Sequence, residues 1–164
     1  MITQEQLKKE LSYDPETGQF IWIRRRQGRQ FGYFLGALQP HGYRKICLDG
    51  KKYYAHRLAW LYVYGVFPES ELDHVNGDKS DNTINNLREA TSCANKCNSS
   101  LRSDNTSGFK GVTWNQDCQK WLAQIHQAGK SYFIGVFVDK LEAARAYDTE
   151  ARKRFGAFAK CNGV

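Results

Sequence analysis

The chain has 164 residues, a formal net charge of +7, 41% hydrophobic and 13% aromatic residues, which is enough for one compact domain or two small ones and too much for a disordered tail. No apolar run approaches the roughly 18 residues of a membrane helix, and the opening MITQEQLKKELSYD has no apolar signal segment, so a cytoplasmic protein is expected. The five cysteines are odd in number and none forms a C-x-x-C pair, so reduced thiols are expected rather than a disulfide framework.

Along the chain, Thr3 to Leu11 reads as a short helix capped by Thr3, with Gln6 three residues on, and Tyr13 to Gly18 as a turn. GQFIWIRRR, QFGYFLGAL, YRKICLDG and KKYYAHR alternate β-branched or aromatic residues with polar ones, which predicts an antiparallel meander. HRLAWLYVY, from His56 to Tyr64, has helical spacing and stops at Gly65. Asn76-Gly77 is a turn signal, Leu87 to about Asn98 is predicted helical, and residues 99–106 form a linker. SGFKGVTWN, KWLAQIHQ and KSYFIGVFV then give three strands, and Lys140 to about Phe155 an Ala-rich amphipathic helix. The fold class is α+β, with one domain over residues 1–98 and a second over 107–164.

Charge is unevenly placed. Residues 1–55 hold ten Lys/Arg against five Asp/Glu, residues 56–100 four against six, and residues 101–164 ten against six. Two basic flanks around a slightly acidic centre suit a polyanion held by the flanks and a cation held by the centre.

That centre, LDHVNGDKSDNTINNLREATSCANKCN, concentrates carboxylates, amides and one histidine. An EF-hand loop started at Asp73 would put Val75, Asp78 and Ile84 where a ligand, a glycine and a bidentate glutamate are needed. Zinc would need a second Cys or His pair beside Cys93 and Cys97, which are expected to face a core instead. Hard-cation chemistry remains: a carboxylate and an amide oxygen holding Mg²⁺ loosely, beside a histidine able to deprotonate water near neutral pH.

Asp73-His74, Asn76-Gly-Asp, Asn82, Asn86-Leu-Arg88, Thr91-Ser and Asn95, with HRLAWLYVYG upstream, closely resemble the HNH homing-endonuclease family and its ββα-metal site. The resemblance covers about residues 10 to 98. It implies a metal-dependent DNA endonuclease in which Asp73 and Asn95 ligate one metal ion, His74 is the general base, and Asn86 orients the His74 ring by hydrogen bonding near its backbone. Asparagine stands at the last ligand position where many members have histidine, which favours Mg²⁺ or Mn²⁺ over zinc. His56 is either the family's upstream histidine or a capping or packing residue. Arg57, Arg88 and Lys96, in and beside the motif, are candidate DNA contacts.

SGFKGVTW, KWLAQIH, YFIGVF and EAARAYDTEARKRFG are similar to the plant ethylene-response-factor (APETALA-type) DNA-binding domain, from about Ser107 to Asn162. That family lays a three-stranded sheet in the major groove, so Lys110, Trp114, Lys120, Gln124, His126, Lys130 and Phe133 are candidate contacts, with Trp114 equally a core candidate, while Trp121, Ala123 and Ile125 pack on the helix. Lys110, Thr113 and His126 stand where plant members often carry arginine, so the plant target does not carry over.

In the N-terminal region, Arg24, Arg25, Arg26, Arg29, Lys51 and Lys52, with Trp22, Tyr33 and Phe34 nearby, suit a β-ribbon reading a groove, with a solvated edge-strand surface as the competing reading. The resemblances together imply a phage or bacterial mobile element, double-stranded DNA as partner, no membrane and no evident protein partner. A monomer that nicks is expected, with a dimer as the route to double-strand cutting. A DNA-binding regulator that has lost the chemistry is the competing reading; an RNA module fits less well, because the A-form major groove is too deep and narrow for a sheet.

Overall fold

The computed structural model describes residues 1–23, 34–98, 101 and 104–164, without the side chains of Cys93, Lys96 and Cys97. It divides into two compact units, Met1–Ala90 and Thr91–Val164, and its helices and small antiparallel sheets make an α+β protein.

Helix α1 (Gln4–Glu10) starts with a reciprocal cap: the Thr3 hydroxyl accepts from the Gln6 amide at 3.2 Å, and the Thr3 amide donates to the Gln6 side chain at 3.0 Å. Strand β1 (Leu11–Asp14) follows and pairs with β2 (Gln19–Trp22), placing Leu11 opposite Trp22 and Tyr13 opposite Phe20. The sequence reading puts a turn at Tyr13 and Asp14; both are strand residues, because Leu11 and Tyr13 are buried and their backbone groups pair with β2. The turn proper is built by Asp14, whose carboxylate accepts from the Glu16 amide at 3.0 Å and the Thr17 hydroxyl at 2.7 Å.

The expected meander forms from β3 (Ala37–Leu38), β4 (Arg44–Leu48) and β5 (Lys51–Tyr54), in the order β3-β4-β5. β2 is not part of it, since its partner is β1. Asp49 and Gly50, at φ 46° and 78°, close the β4–β5 hairpin as a two-residue loop, where positive φ matches the strand twist. The chain turns helical at Ala55, two residues before the end of the predicted strand KKYYAHR, and α2 (Ala55–Tyr64) ends at Gly65, whose left-handed backbone sends its amide to the Leu61 carbonyl.

The larger correction lies beyond α2. Strand β6 (Glu71–His74) pairs antiparallel with β7 (Leu87–Ala90), where a helix from Leu87 is predicted. Leu87 and Ala90 are three apart, a helical spacing, yet both are buried against the β6 ribbon, and the helix starts only at Thr91, whose hydroxyl accepts from the Ala94 amide at 3.2 Å. That helix, α3 (Ser92–Cys97), belongs to the second unit. The first unit's core joins all these layers through Leu7, Leu11, Phe20, Trp22, Ile46, Leu58 and Leu87.

In the second unit β8 (Val112–Asn115), β9 (Lys120–Gln127) and β10 (Lys130–Phe137) form a sheet with β9 central, and α4 (Lys140–Phe155) covers one face. Ala143, Ala144, Tyr147 and Ala151 pack on Val112, Ala123 and Ile125. Asp139 caps α4 by accepting from the Leu141 and Glu142 amides. Asp148, 1% exposed, accepts from the Asn162 amide at 2.7 Å and the Gly163 amide at 3.0 Å, which fastens the C-terminal segment back onto the helix.

One contact in the first unit decides where the polar loop sits. Gly18, at φ +69°, has no room for a side chain: a Cβ there would lie 2.5 Å from the Asn82 carbonyl carbon and the Thr83 nitrogen. Beside it the Tyr13 hydroxyl donates to the Asn82 carbonyl at 2.8 Å. Gly18→Ala combines positive-φ strain with a clash against backbone, so it is expected to lower stability by about 2 kcal/mol or more. The urea-unfolding midpoint of the full chain measures this, and an unchanged midpoint would contradict the close approach.

Candidate active site

His74 ends β6, and the residues that surround it come from four places in the sequence. Across the ribbon it faces Leu87, while its neighbour Asp73 faces Arg88. The guanidinium donates to Asp73 Oδ2 through Nε at 2.9 Å and Nη2 at 2.7 Å. Asp73 and His74 are 3% and 4% exposed, and a buried carboxylate needs such a partner.

The loop after β6 is built from its own amides and carboxylates. The His74 carbonyl accepts from the Gly77 amide at 2.8 Å, Asp78 accepts from the amide and hydroxyl of Ser80, and Asp81 accepts from those of Thr83. Asn86 spans the loop: its side-chain oxygen accepts from the Asn76 amide at 2.9 Å, its side-chain nitrogen donates to the Asp81 carbonyl at 2.9 Å, and its carbonyl accepts from the Val75 amide at 2.9 Å. Asn86 thus fixes the two residues that follow His74.

On its other side the His74 ring meets aromatic surface. The His56 ring lies edge-on at 5.2 Å and Tyr43 at 5.9 Å; His56 in turn touches Tyr43 at 5.2 Å and stacks on Tyr54 at 5.4 Å. His56 is therefore a buried packing residue, 7% exposed, one position inside α2, and it does not cap the helix. Its Nδ1 is buried with no hydrogen-bond partner.

Burial sets the protonation of both rings. His56 falls from the usual histidine range to about 3, by desolvation first and then by the positive charge that His74 and Arg57 would present. Burial also lowers His74, opposed by a hydrogen bond with Asn82 and by the carboxylates of Asp73, Asp81 and Asp78. An imidazole held neutral in this way is a competent proton acceptor at neutral pH.

The other expected residues are spread over both units. Asn95 stands half-buried on α3 in the second unit. Arg57 lies over the Phe67 ring at 5.8 Å and donates to the Pro68 carbonyl at 3.4 Å. Arg24, Arg25, Arg26, Arg29 and Tyr33 fall outside the described residues, as do the side chains of Lys96, Cys93 and Cys97. In the second unit the register puts Lys120, Gln124, His126 and Phe133 on the face turned from α4; Lys120, His126 and Phe133 are exposed, and Gln124 is half-buried with its side chain accepting from the Ser131 hydroxyl. Trp114 pairs with Trp121, their rings 5.0 Å apart, and Lys130 pairs with Gln127, so both have the parity of the helix-facing side. Lys110 precedes β8 and its amide donates to Asn162. Tyr43 was missed by sequence reasoning; nothing in its local pattern separates it from the other strand aromatics.

Among the described residues no cluster of three His, Cys, Asp or Glu could hold a metal, and no helix is long and apolar enough to cross a membrane.

The His56 value carries a sign. Below pH 6.5 the unfolded chain takes up a proton at this residue that the folded chain refuses until about pH 3, so stability falls as pH drops through that window. His56→Phe is expected to flatten the dependence between pH 6.5 and 4 in urea titrations; an unaltered slope would show that His56 is not buried neutral.

Residues 53–96, which run from β5 through α2, β6, the polar loop and β7 into α3, match the family model described as HNH endonuclease. The chain is 30% identical to Protein 3.8 of Escherichia phage T7 over 106 residues, which is 64% of this chain and 87% of that protein. It is 26% identical over 151 residues to an uncharacterized HNH endonuclease of Acanthamoeba polyphaga mimivirus, covering 92% of this chain and 71% of the relative. The chain thus belongs to the family of the phage T7 Protein 3.8, and its residues 53–96 are an HNH endonuclease domain.

Proposed function

We propose that the protein is a metal-dependent DNA endonuclease of the homing type that nicks duplex DNA, with His74 as general base. The observation that carries this reading is the buried His74 imidazole, kept neutral beside Asp73 at the end of β6, inside the segment that matches the HNH endonuclease model. Residues 1–98 are the nuclease with an N-terminal DNA-contacting region, 99–106 a linker and 107–164 a DNA-binding arm.

His74 takes a proton from a water molecule as its oxygen attacks phosphorus, and its pKa below the ordinary histidine value keeps it ready for that task at neutral pH. Asn86 acts one step removed, by fixing the backbone of residues 75 and 76. Arg88 holds the Asp73 carboxylate in place at Oδ2. A carboxylate is a hard oxygen donor that suits Mg²⁺ or Mn²⁺, so Asp73 would hold one such ion, which would supply charge stabilisation at the scissile phosphate and the departing 3′ oxygen. The products would carry 5′ phosphate and 3′ hydroxyl.

The arm resembles the APETALA-type module in having a three-stranded sheet on one helix, with Lys120, His126 and Phe133 exposed on the open face. A basic and aromatic sheet face suits the major groove.

Incubation with supercoiled plasmid and Mg²⁺ tests the chemistry, since nicked and linear forms separate on a gel. His74→Ala should bind DNA normally and cut about 10²- to 10⁴-fold more slowly, with partial rescue by imidazole. Asp73→Ala should need far more Mg²⁺ and gain nothing from imidazole. Near-normal cutting by His74→Ala would sink the assignment, and a wild-type protein that binds DNA without cutting it would point to a regulator. For the arm, Lys120→Gln with Phe133→Ala should weaken binding to the natural target about tenfold or more while cleavage at saturating DNA stays near normal; unchanged affinity would remove the arm's role in recognition.

A further inference from the structure

The described arginines of the first unit are engaged by the protein itself. Arg88 is bound to Asp73, Arg57 to the Pro68 carbonyl and the Phe67 ring, and Arg44 donates to the Gly36 carbonyl at 3.1 Å. A nuclease still needs cations where the DNA backbone meets the base, because phosphate contacts position the duplex.

Two lysines stand there. The Lys79 ammonium lies 5.0 Å from the Tyr43 ring centroid, and Tyr43 is the ring that touches both His74 and His56. The Lys45 ammonium lies 4.5 Å from the Tyr54 ring, which stacks on His56. Neither lysine is paired with a carboxylate among the described residues. The carboxylates nearest Lys79 in sequence, Asp78 and Asp81, accept hydrogen bonds from Ser80 and Thr83.

Their placement is built rather than incidental. Lys45 sits directly opposite Tyr54 in the β4–β5 register. The Lys79 stem runs along the turn that Gly42 closes onto Gln39: a Cβ on Gly42 would lie 3.5 Å from the Lys79 Cβ and 3.7 Å from its Cδ. An ammonium resting on a ring face keeps most of its hydration and its charge, so it is aimed without being neutralised. The same aromatic group therefore packs the histidines underneath and carries the cations on top.

We propose that Lys45 and Lys79 are the phosphate-binding cations of this active site, gripping backbone phosphates next to the scissile one, with Tyr54 and Tyr43 as the rings that position them. This rests on the nuclease reading above. One DNA strand places a phosphate every ~3.4 Å of rise, so cations one and two ring contacts from the base meet its neighbours rather than the reacting group.

The test uses the full chain, a random-sequence 30-base-pair duplex in EDTA, and supercoiled plasmid with Mg²⁺. Lys45→Gln and Lys79→Gln should each reduce the slope of log affinity against log salt by about 0.9 and the double variant by about twice that, with slower nicking below saturation. Lys45→Arg and Lys79→Arg should restore both. Lys9→Gln, on α1, removes the same charge and should leave the slope and the rate near wild type. Unfolding midpoints near wild type accompany the expected result, since neither lysine is buried. Slopes unchanged in both glutamine variants, or reduced equally by Lys9→Gln, would overturn the proposal. If wild type nicks, His74→Ala does not and the slopes stay constant, only the lysine assignment falls; if the slopes respond and wild type does not nick, the nuclease reading falls and the phosphate contacts stand.

Discussion

The polar end of the first unit is organised around one ion pair, Asp73 with Arg88, made across the two-stranded β6–β7 ribbon. A carboxylate 3% exposed is costly unless a partner and hydrogen bonds offset its lost hydration. Arg88 can meet it only if β7 runs antiparallel to β6 in the observed register, and that register also sets His74 opposite Leu87. The pair therefore specifies strand alignment as much as it stabilises, and a slip of one residue would turn His74 away from His56 and Tyr43. Asn86, at the start of the return strand, completes the constraint by tying residues 75 and 76 to Asp81.

This arrangement explains why so many amides and carboxylates crowd a short segment. Most of them are scaffold. Asp78, Asp81, Asn76 and Asn86 satisfy backbone donors of a loop that folds back on itself with little apolar material. The β1–β2 hairpin then presses on that loop through Gly18 and Tyr13. Burial pushes the Tyr13 phenol well up, so it stays a donor to the Asn82 carbonyl at any working pH.

The legible parts of the fold were those with local causes. Thr3 with Gln6, Gly65 after an apolar helix, and the Ala-rich run after Asp139 announce α1, α2 and α4 by capping and periodicity alone. Asp73, His74 and Asn86 stood out through the resemblance of their segment to the HNH motif. Strand β7 did not, because Leu87 and Ala90 satisfy a helical spacing as well as a strand's two buried ends, and only pairing with Glu71–His74 decides between them. Tyr43, Lys45 and Tyr54 were invisible as site residues for a related reason: they lie about twenty to thirty positions before His74 and reach it only because the meander and α2 pack together. Local pattern carries no record of a contact made by tertiary packing.

The histidine pair shows how the fold resolves a conflict of charge. Two buried imidazoles 5.2 Å apart cannot both be protonated at low cost. The carboxylates of Asp73, Asp78 and Asp81 face His74, pull its pKa up and offset part of the cost of burial, whereas the charged groups that act on His56 are His74 and Arg57, both positive when charged. The asymmetry decides which ring can change its proton. His56, near 3, stays neutral and serves as a fixed aromatic wall, while His74, whose lowering by burial is opposed by those carboxylates, is the ring of the two that accepts a proton more readily. A proton-accepting imidazole needs a rigid seat and a reversible charge, and here the neighbouring ring provides the first while the nearby carboxylates favour the second.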